Sequence, residues 1–354
     1  MIHDELSKSV CIVGTDLSGK GGIAAVLKSY STIFPSFNYV CSHKFTNKVH
    51  QLLIAVQAIF KVIYFCCIKK VKIVHIHTAS YNAFFRDSIY LLIAKLFRRK
   101  VVLHLHGGKF EQFYNQNSRY CSYICHKADC IVGVSNYFKA IFDKYKLNDN
   151  IKVVYNSVDK PLYLKKTTSR TQLNLLFLGS IVENKGIYDI LSCVIKYRSY
   201  FEGKVFLRIG GSGQDVKLNR IIQDNRLSNI VEYLGWVELK KKHALLAETD
   251  IYLQPSYFES LGIAIIEAMS YKIPIIASRT GGIPELVTNL ENGILISPGA
   301  IDDMYSAIKM LIENRALRED MGDKSGVKAE NFTIESMSKA INDLYQEILV
   351  LRDK

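Results

Sequence analysis

The chain has 354 residues, of which 49% are hydrophobic and 22% charged, as in a globular protein of about two domains. Only 6 prolines and 21 glycines argue against a disordered or fibrous chain. The net charge of +13 is uneven: residues 1–170 hold 25 Lys and Arg against 9 Asp and Glu, and residues 171–354 hold 21 against 24. This asymmetry favours an anionic partner for the first half, with an ordinary solvated surface as the alternative.

The beginning of the chain, MIHDELSKSV, lacks the basic start and long apolar run of a secretion signal, so we expect no export. The most apolar stretch, Leu52–Ile68, is interrupted by Gln57 and Lys61. It predicts an amphipathic or buried helix, and we expect no transmembrane helix.

Short apolar runs alternate with longer periodic segments along the whole chain, and the short runs are the predicted strands. They are Val10–Val13, Val71–His75, Val101–His104, Cys130–Val134, Lys152–Tyr155, Leu173–Leu178, Val205–Ile209, Ile230–Tyr233, Asp250–Leu253 and Pro274–Ala277. This alternation predicts an α/β fold with parallel sheets covered by helices on both faces. The polar, Lys-rich stretch 159–172 predicts a domain boundary, which gives doubly wound, Rossmann-like domains at 1–160 and 173–332 and a linker at 161–172.

A glycine-rich loop follows the first predicted strand. Its sequence, GTDLSGKGG, has the spacing of a phosphate loop as far as Lys20, but Gly21 stands where Ser or Thr would hold magnesium. A nucleoside triphosphatase is therefore disfavoured. Gly21 and Gly22 still allow a ligand to approach the backbone at the start of a helix, and a plain tight turn is the alternative.

Two pairs of histidines accompany the next predicted strands. His75 is paired with His77, and His104 with His106, so each pair points to one face of its strand. His106 precedes two glycines where the strand must end, and a neutral imidazole there can hydrogen-bond a sugar hydroxyl. His104 is expected to be a core residue. A zinc site built from the four is disfavoured, because they come from separate strands without neighbouring carboxylates.

The eight cysteines include no Cys-x-x-Cys pair, and we expect reduced thiols packed in the core. Cys121, Cys125, His126 and Cys130 lie close in sequence, but their spacing does not match the paired ligands of zinc sites. No metal site is therefore predicted in this segment.

The most informative segment is 254–286, QPSYFESLGIAIIEAMSYKIPIIASRTGGIPEL. Glu259 and Glu267 stand eight apart, and a helix is predicted to start near Leu261, where its free amides suit a diphosphate. Glu267, about a turn and a half into that helix, can accept hydrogen bonds from adjacent ribose hydroxyls. The alternative is an amphipathic helix that carries two solvated acids.

This segment resembles the signature of glycosyltransferase family 4, retaining enzymes with the GT-B fold. The shared features are Glu, seven residues, Glu, then a strand like Pro-Ile-Ile-Ala-Ser and the turn Gly-Gly-x-Pro-Glu. The likeness covers nearly the whole chain, including LHLHGG, the Asn-x-Val-Asp turn at Asn156, and GSIVENKGIYDIL. It implies two Rossmann-like domains facing across a cleft, with a C-terminal helix of about residues 333–354 crossing back to the first domain.

The resemblance also implies functions for single residues. His106 and Glu259 would contact the donor sugar, Lys185 would bind the donor diphosphate, and these three form the implied catalytic set. The implied donor-binding positions are Gly21, Gly22, Ser180, Lys185, Gly211, Val237, Ser260, Leu261, Gly262, Ile263 and Glu267. The chain departs from the family at Ser180, where an arginine is usual, and Lys20 or Arg279 is the expected substitute.

The implied reaction transfers a sugar from a nucleotide sugar, with UDP as the expected nucleotide, without cofactor or metal and with retained configuration. The positive first domain would take the acceptor, expected to be a lipid-linked saccharide of bacterial surface polysaccharide synthesis. Phe84–Lys100, with Ile54–Lys70 as a second candidate, would dock on the inner face of the cell membrane. The alternatives are a soluble acceptor and a catalytically inactive scaffold, whereas no recognition motif or stacking platform supports nucleic-acid binding.

Overall fold

The structure, a computed structural model, describes residues 1–19, 21–163 and 172–350. The chain forms two compact units. The first comprises Met1–Ser157 and the chain from Ile334 onward, and the second comprises Val158–Thr333. Lys20 and residues 164–171 of the predicted linker lie outside the described residues, as do residues 351–354 of the predicted last helix.

The first unit is built on a parallel sheet of six strands in the order β2-β1-β3-β4-β5-β6. These strands are β1 (Val10–Thr15), β2 (Tyr39–His43), β3 (Ile73–Thr78), β4 (Lys100–Leu105), β5 (Cys130–Gly133) and β6 (Ile151–Val153). Its helices are α1 (Asp4–Lys8), α2 (Gly22–Ile33), α3 (Lys48–Cys67), α4 (Asn82–Leu96), α5 (Phe110–Gln116), α6 (Ser118–Lys127) and α7 (Asn136–Lys144). The central strands are buried along their length, as expected for a parallel sheet that helices cover.

The second unit has a parallel sheet in the order β12-β11-β10-β7-β8-β9. Its strands are β7 (Leu173–Leu178), β8 (Val205–Gly210), β9 (Val231–Tyr233), β10 (Ile251–Gln254), β11 (Ile275–Ser278) and β12 (Gly293–Ile296). Its helices are α8 (Ile187–Lys196), α9 (Arg198–Phe201), α10 (Asp215–Asp224), α11 (Leu239–Glu248), α12 (Ile263–Ser270), α13 (Ile283–Leu286), α14 (Ile301–Glu313) and α15 (Arg315–Ala329). One apolar core packs this sheet against α8, α9, α10, α14 and α15.

The last described helix, α16 (Ile334–Val350), belongs to the first unit. Its apolar stripe, which includes Ile341, Leu344 and Ile348, is buried. Tyr345 on the same stripe hydrogen-bonds His75 of β3 at 2.6 Å. The second unit is therefore an insertion between two segments that complete the fold of the first.

These sheets confirm the predicted α/β fold, with corrections to its parts. Sequence reasoning missed β2 and β12, which are edge strands of five and four residues. His77, predicted to follow a strand, lies inside β3, and His104, predicted to end a strand, lies inside β4. The helix predicted near Leu261 begins at Ile263, because Gly262 has a φ of +106° and is not helical.

Two glycines of α15 face Lys272, and they provide a matched test of the packing between α15 and the segment after α12. A Cβ at Gly322 would lie 2.4 Å from the carbonyl oxygen of Lys272, whereas one at Gly326 would meet only its flexible side chain. Gly322→Ala should therefore lower the free energy of unfolding by about 1–3 kcal/mol, since backbone must move. Gly326→Ala should be close to neutral because alanine favours the helix. Thermal denaturation of both variants checks this, and equal losses would contradict it.

Candidate active site in the second unit

The strand order of the second unit creates a crevice at one point of the sheet. β7 and β10 are central neighbours, while β8 and β9 continue on one side and β11 and β12 on the other. Chain connections therefore leave β7 and β10 in opposite directions, which opens a crevice beyond their carboxyl ends. Loops that follow these two strands carry the residues predicted to bind the diphosphate and the donor sugar.

An ion pair joins the two loops that bound this crevice. Lys185 follows β7 at the end of a short 3₁₀ turn, Glu183–Lys185, and Glu259 lies in the loop after β10. The Lys185 Nζ atom lies 2.6 Å from Oε1 of Glu259, and the two side chains are 26% and 14% exposed. Two residues that the sequence assigns to catalysis are thus brought into direct contact 74 positions apart.

Polar side chains beneath Glu259 fix the position of its carboxylate. Ser256 donates a hydrogen bond to Oε1 of Glu259 at 3.1 Å, and the Gln254 amide donates one to the same atom at 3.3 Å. Tyr252 holds Gln254 in turn, by donating its hydroxyl to the Oε1 atom of Gln254 at 2.9 Å. The carboxylate is therefore held by neutral donors as well as by Lys185.

The glycine pair after β11 supports the same loop through close backbone contact. Gly281 has a φ of +52°, and a Cβ there would lie 2.0 Å from the carbonyl oxygen of Glu259. Gly282 donates its N–H to that oxygen at 3.0 Å, and a Cβ on Gly282 would lie 2.3 Å from the carbonyl oxygen of Ser260. Any side chain at this turn would displace the Glu259 loop, which explains the Gly-Gly sequence.

The start of α12 follows directly from the Glu259 loop. Leu261 is buried and anchors the loop, while Gly262 precedes the first helical residue, Ile263. Gly262 stands at the cap position of the helix, where it has no side-chain oxygen to offer the first amides of α12. Free amides and the helix dipole give this end a partial positive charge that suits an anionic group.

A second lysine–glutamate pair lies further along α12. Glu267 accepts a hydrogen bond from the Nζ atom of Lys242 at 2.5 Å, and the two side chains are 20% and 22% exposed. Lys242 lies on α11 and was missed by sequence reasoning. It belongs to a run of three lysines, Lys240–Lys242, of which the first two are exposed. The sequence of this run does not indicate which of the three lysines faces Glu267.

The remaining predicted donor-binding residues of this unit follow β7 and β8. Ser180 is exposed directly after β7, and Gly211 follows β8 and donates its N–H to the carbonyl oxygen of Gly235 at 2.8 Å. Val237 is half-buried in the segment after β9. Arg279 is exposed directly after β11. All four thus lie beyond the carboxyl ends of strands of the same sheet.

Gly21, Gly22 and His106 lie in the first unit. Gly21 precedes α2 and Gly22 begins it, again without a capping side chain. His106 follows β4 and hydrogen-bonds Nδ1 of His77 through its Nε2 atom at 2.9 Å. Burial lowers the pKa of His106 to about 3, so its imidazole is neutral at physiological pH.

The cysteine-rich segment of the first unit is a packing feature. Cys121 and Cys125 are buried on α6, and Cys130 is buried on β5. Burial raises the pKa of Cys121 and of Cys130 to about 12, which keeps both thiols protonated. These thiols behave as small apolar groups, and His126 at the end of α6 is exposed.

Comparison with known proteins identifies the family. A model described as glycosyl transferases group 1 matches residues 159–328, and one described as glycosyltransferase family 4 matches residues 28–160. The chain belongs to the family 4 glycosyltransferases and has the GT-B fold. The expected family and fold are therefore confirmed.

Two relatives and one solved structure illustrate the similarity. An uncharacterized glycosyltransferase of Methanocaldococcus jannaschii is 26% identical over 283 residues, 73% of this chain and 71% of that protein. An uncharacterized 41.2 kDa protein in the cps region of Klebsiella pneumoniae is 34% identical over 181 residues, 48% of each chain. Anabaena HepE in complex with UDP has a TM-score of 0.78 at 18% identity, covering 96% of this chain and 100% of that one.

The pair between Lys242 and Glu267 predicts a measurable contribution of Lys242 to nucleotide binding. Lys242→Ala removes the group that orients the Glu267 carboxylate, so the Kd for the donor nucleotide should rise about 5- to 30-fold, or roughly 1–2 kcal/mol. Lys241→Ala on the same helix is the matched control and should change the Kd less than about twofold. Titration calorimetry measures both, and equal effects would show that only bulk charge matters.

Proposed function

We propose that this glycosyltransferase moves a sugar, with retained configuration, from a UDP-sugar to a lipid-linked saccharide in bacterial surface polysaccharide synthesis. The contact between Lys185 and Glu259 at the crevice of the second unit carries the proposal for the donor. HepE, a protein of similar fold, has been solved with UDP and with UDP-glucose. The Klebsiella relative lies in a cps region, which supports a surface polysaccharide as the product.

The proposed chemistry uses positive charge that is already in place. As the sugar departs, negative charge grows on the diphosphate, and Lys185 together with the first amides of α12 stabilises it. Glu259, freed from part of its contact with Lys185, accepts hydrogen bonds from the sugar hydroxyls. Glu267, oriented by Lys242, accepts hydrogen bonds from the ribose. We propose that these groups suffice without a metal or another cofactor.

Two further residues have proposed parts in donor binding. Ser180 cannot supply the charge of the usual arginine, and Arg279, exposed after the neighbouring strand β11, is the proposed substitute. His106 is proposed to hydrogen-bond the donor sugar as a neutral imidazole, which its low pKa supports. Unchanged donor affinity of Arg279→Ala would reject the first of these assignments.

A thermal-shift screen against UDP, GDP, ADP and their sugars tests the donor. UDP and one UDP-sugar should raise the Tm, because a ligand that binds only the folded state stabilises it. Glu267→Ala should abolish the shift, and Glu291→Ala, which removes an exposed acid of the same unit, should retain it. Stabilisation by another base alone would reject UDP, and no response to any nucleotide would reject the donor site.

Transfer assays distinguish an enzyme from an inactive scaffold. Lys185→Ala and Glu259→Gln should each lower kcat at least about 100-fold, because each removes a preorganised contact to the reacting groups. Lys196→Ala, which removes an exposed lysine of the same unit, should leave the rate unchanged. Absence of both transfer and donor hydrolysis in the unaltered protein would favour the scaffold.

The proposed lipid-linked acceptor rests on an exposed apolar surface of the first unit. α3 buries only Ala58, Val62 and Cys66 and is, by length and composition alone, able to cross a membrane. Its outward stripe is apolar and recurs every three or four residues: Val49, Leu53, Val56, Phe60 and Tyr64. The neighbouring helix α4 carries a second such stripe: Phe85, Ile89, Leu92 and Leu96. We call these nine residues the apolar face.

The apolar face is proposed to lie on the membrane surface rather than to cross it. α3 packs along α4, with Tyr90 donating to the carbonyl oxygen of Ala55 at 3.3 Å and Arg99 to that of Cys66 at 2.8 Å. Crossing the membrane would break these contacts. Exposed Lys61, Lys69, Lys70 and Arg98 accompany the two helices and would attract anionic lipid.

Vesicle flotation tests this surface. The protein should float with vesicles rich in phosphatidylglycerol and less with neutral ones, and added salt should weaken binding. Phe60→Asp with Leu96→Asp should lower the partition coefficient at least about tenfold, because charge opposes burial in the interface. Val216→Asp with Leu290→Asp, at exposed apolar positions of the second unit, is the control. Equal flotation of both double variants would reject the apolar face and favour a soluble acceptor.

A further inference from the structure

We propose that His75, His77 and His104 form a buried binding site for a divalent transition-metal ion, of which Zn²⁺ is the best match, in the core of the first unit. The site lies apart from the residues proposed to bind the donor diphosphate, all of which belong to the second unit. The proposed ion stabilises the fold and takes no part in the transfer.

The strand register brings the three rings together. His75 and His77 stand two apart on β3 and point to the same face, and His104 on β4 is paired in register with His77. One ligand nitrogen from each lies within 4.8 Å of the others, and all three side chains are buried. The sequence disfavours a zinc site because the histidines come from separate strands, but β3 and β4 are neighbours and bring three of them together.

In two of the rings, the nitrogen that faces away from the cluster has an outer partner. Nδ1 of His75 contacts the Tyr345 hydroxyl at 2.6 Å, and Nδ1 of His77 contacts His106 at 2.9 Å. Metal-binding histidines characteristically use one nitrogen for the metal and hydrogen-bond through the other, which fixes the ring. The candidate ligand atoms are therefore Nε2 of His75, Nε2 of His77 and Nδ1 of His104, which lies 3.2 Å from Nε2 of His75.

The protein itself provides few hydrogen-bond partners for the Nε2 atoms of these histidines. Those of His77 and His104 are buried and have no hydrogen-bond partner among the described residues. That of His75 contacts Nδ1 of His104, at 3.2 Å. Buried polar atoms without a partner are costly, and a metal ion would satisfy Nε2 of His77.

Three imidazole nitrogens favour zinc among the common divalent ions. Zinc–nitrogen bonds of about 2.0–2.1 Å require the three rings to draw closer than in the metal-free arrangement, and a small anion or water would fill the fourth position. Through His75 and Tyr345 the bound ion would link the sheet to α16. The site would thereby fasten the returning helix to the first unit.

Metal analysis of the untagged protein tests the proposal. After treatment with a chelator and addition of ZnCl₂, the desalted protein should retain one zinc per chain, and its Tm should rise by roughly 5 °C or more. His77→Phe and His104→Phe should retain no zinc and show no rise. His77→Cys should regain binding, because a thiolate is itself a zinc ligand.

His243→Phe is the matched control, because His243 is a buried histidine of the second unit that also contacts a tyrosine hydroxyl, Tyr271, at 2.7 Å. It should retain zinc like the unaltered protein. The proposal would be overturned if the unaltered protein retained no zinc. It would also be overturned if His77→Phe and His104→Phe retained as much zinc as the unaltered protein. If the phenylalanine variants do not fold, loss of zinc by His77→Gln with recovery by His77→Cys decides the same question.

Discussion

The ion pair between Lys185 and Glu259 defines the arrangement of the candidate active site in the second unit. A partly buried pair loses hydration and is held only if other hydrogen bonds complete its environment. Gln254 and Ser256 provide those bonds, and the backbone of Gly281 and Gly282 fixes the loop from the other side. β7 and β10 are paired neighbours in the sheet, so the two loops begin side by side and bring the charged groups into contact.

The two lysine–glutamate pairs explain how a unit with almost no net charge would accept an anionic donor. One pair precedes α12 and the other involves Glu267 within it, so each carboxylate already has a cationic partner. An incoming diphosphate would replace a carboxylate as the counter-ion of Lys185, and the sugar hydroxyls would take over part of the solvation of Glu259. Affinity for the donor would then depend on a few correctly positioned side chains. The large net positive charge of the first half would remain available to attract the acceptor and the membrane.

The sequence predicted the architecture well because short apolar runs that alternate with periodic segments specify buried parallel strands. The Glu259–Glu267 spacing with its glycines likewise specifies a loop followed by a helix. Prediction from sequence failed for features that depend on which residues are neighbours in space. β2 and β12 are short edge strands with weak patterns, and Lys242 is one of three adjacent lysines. The histidine cluster appears only when β3 and β4 are known to be adjacent, and the periodicity of α3 does not reveal which of its faces lacks a partner.

The position of α16 has a consequence for the order of folding during synthesis. Because the second unit is inserted within the first, all of its strands leave the ribosome before α16 does. The second unit can therefore reach its native state early, whereas β3 must wait for Tyr345, 270 residues after His75, to be translated. Until then the nascent first unit exposes the apolar surface that α16 later covers, and this interval is when chaperones would be needed most.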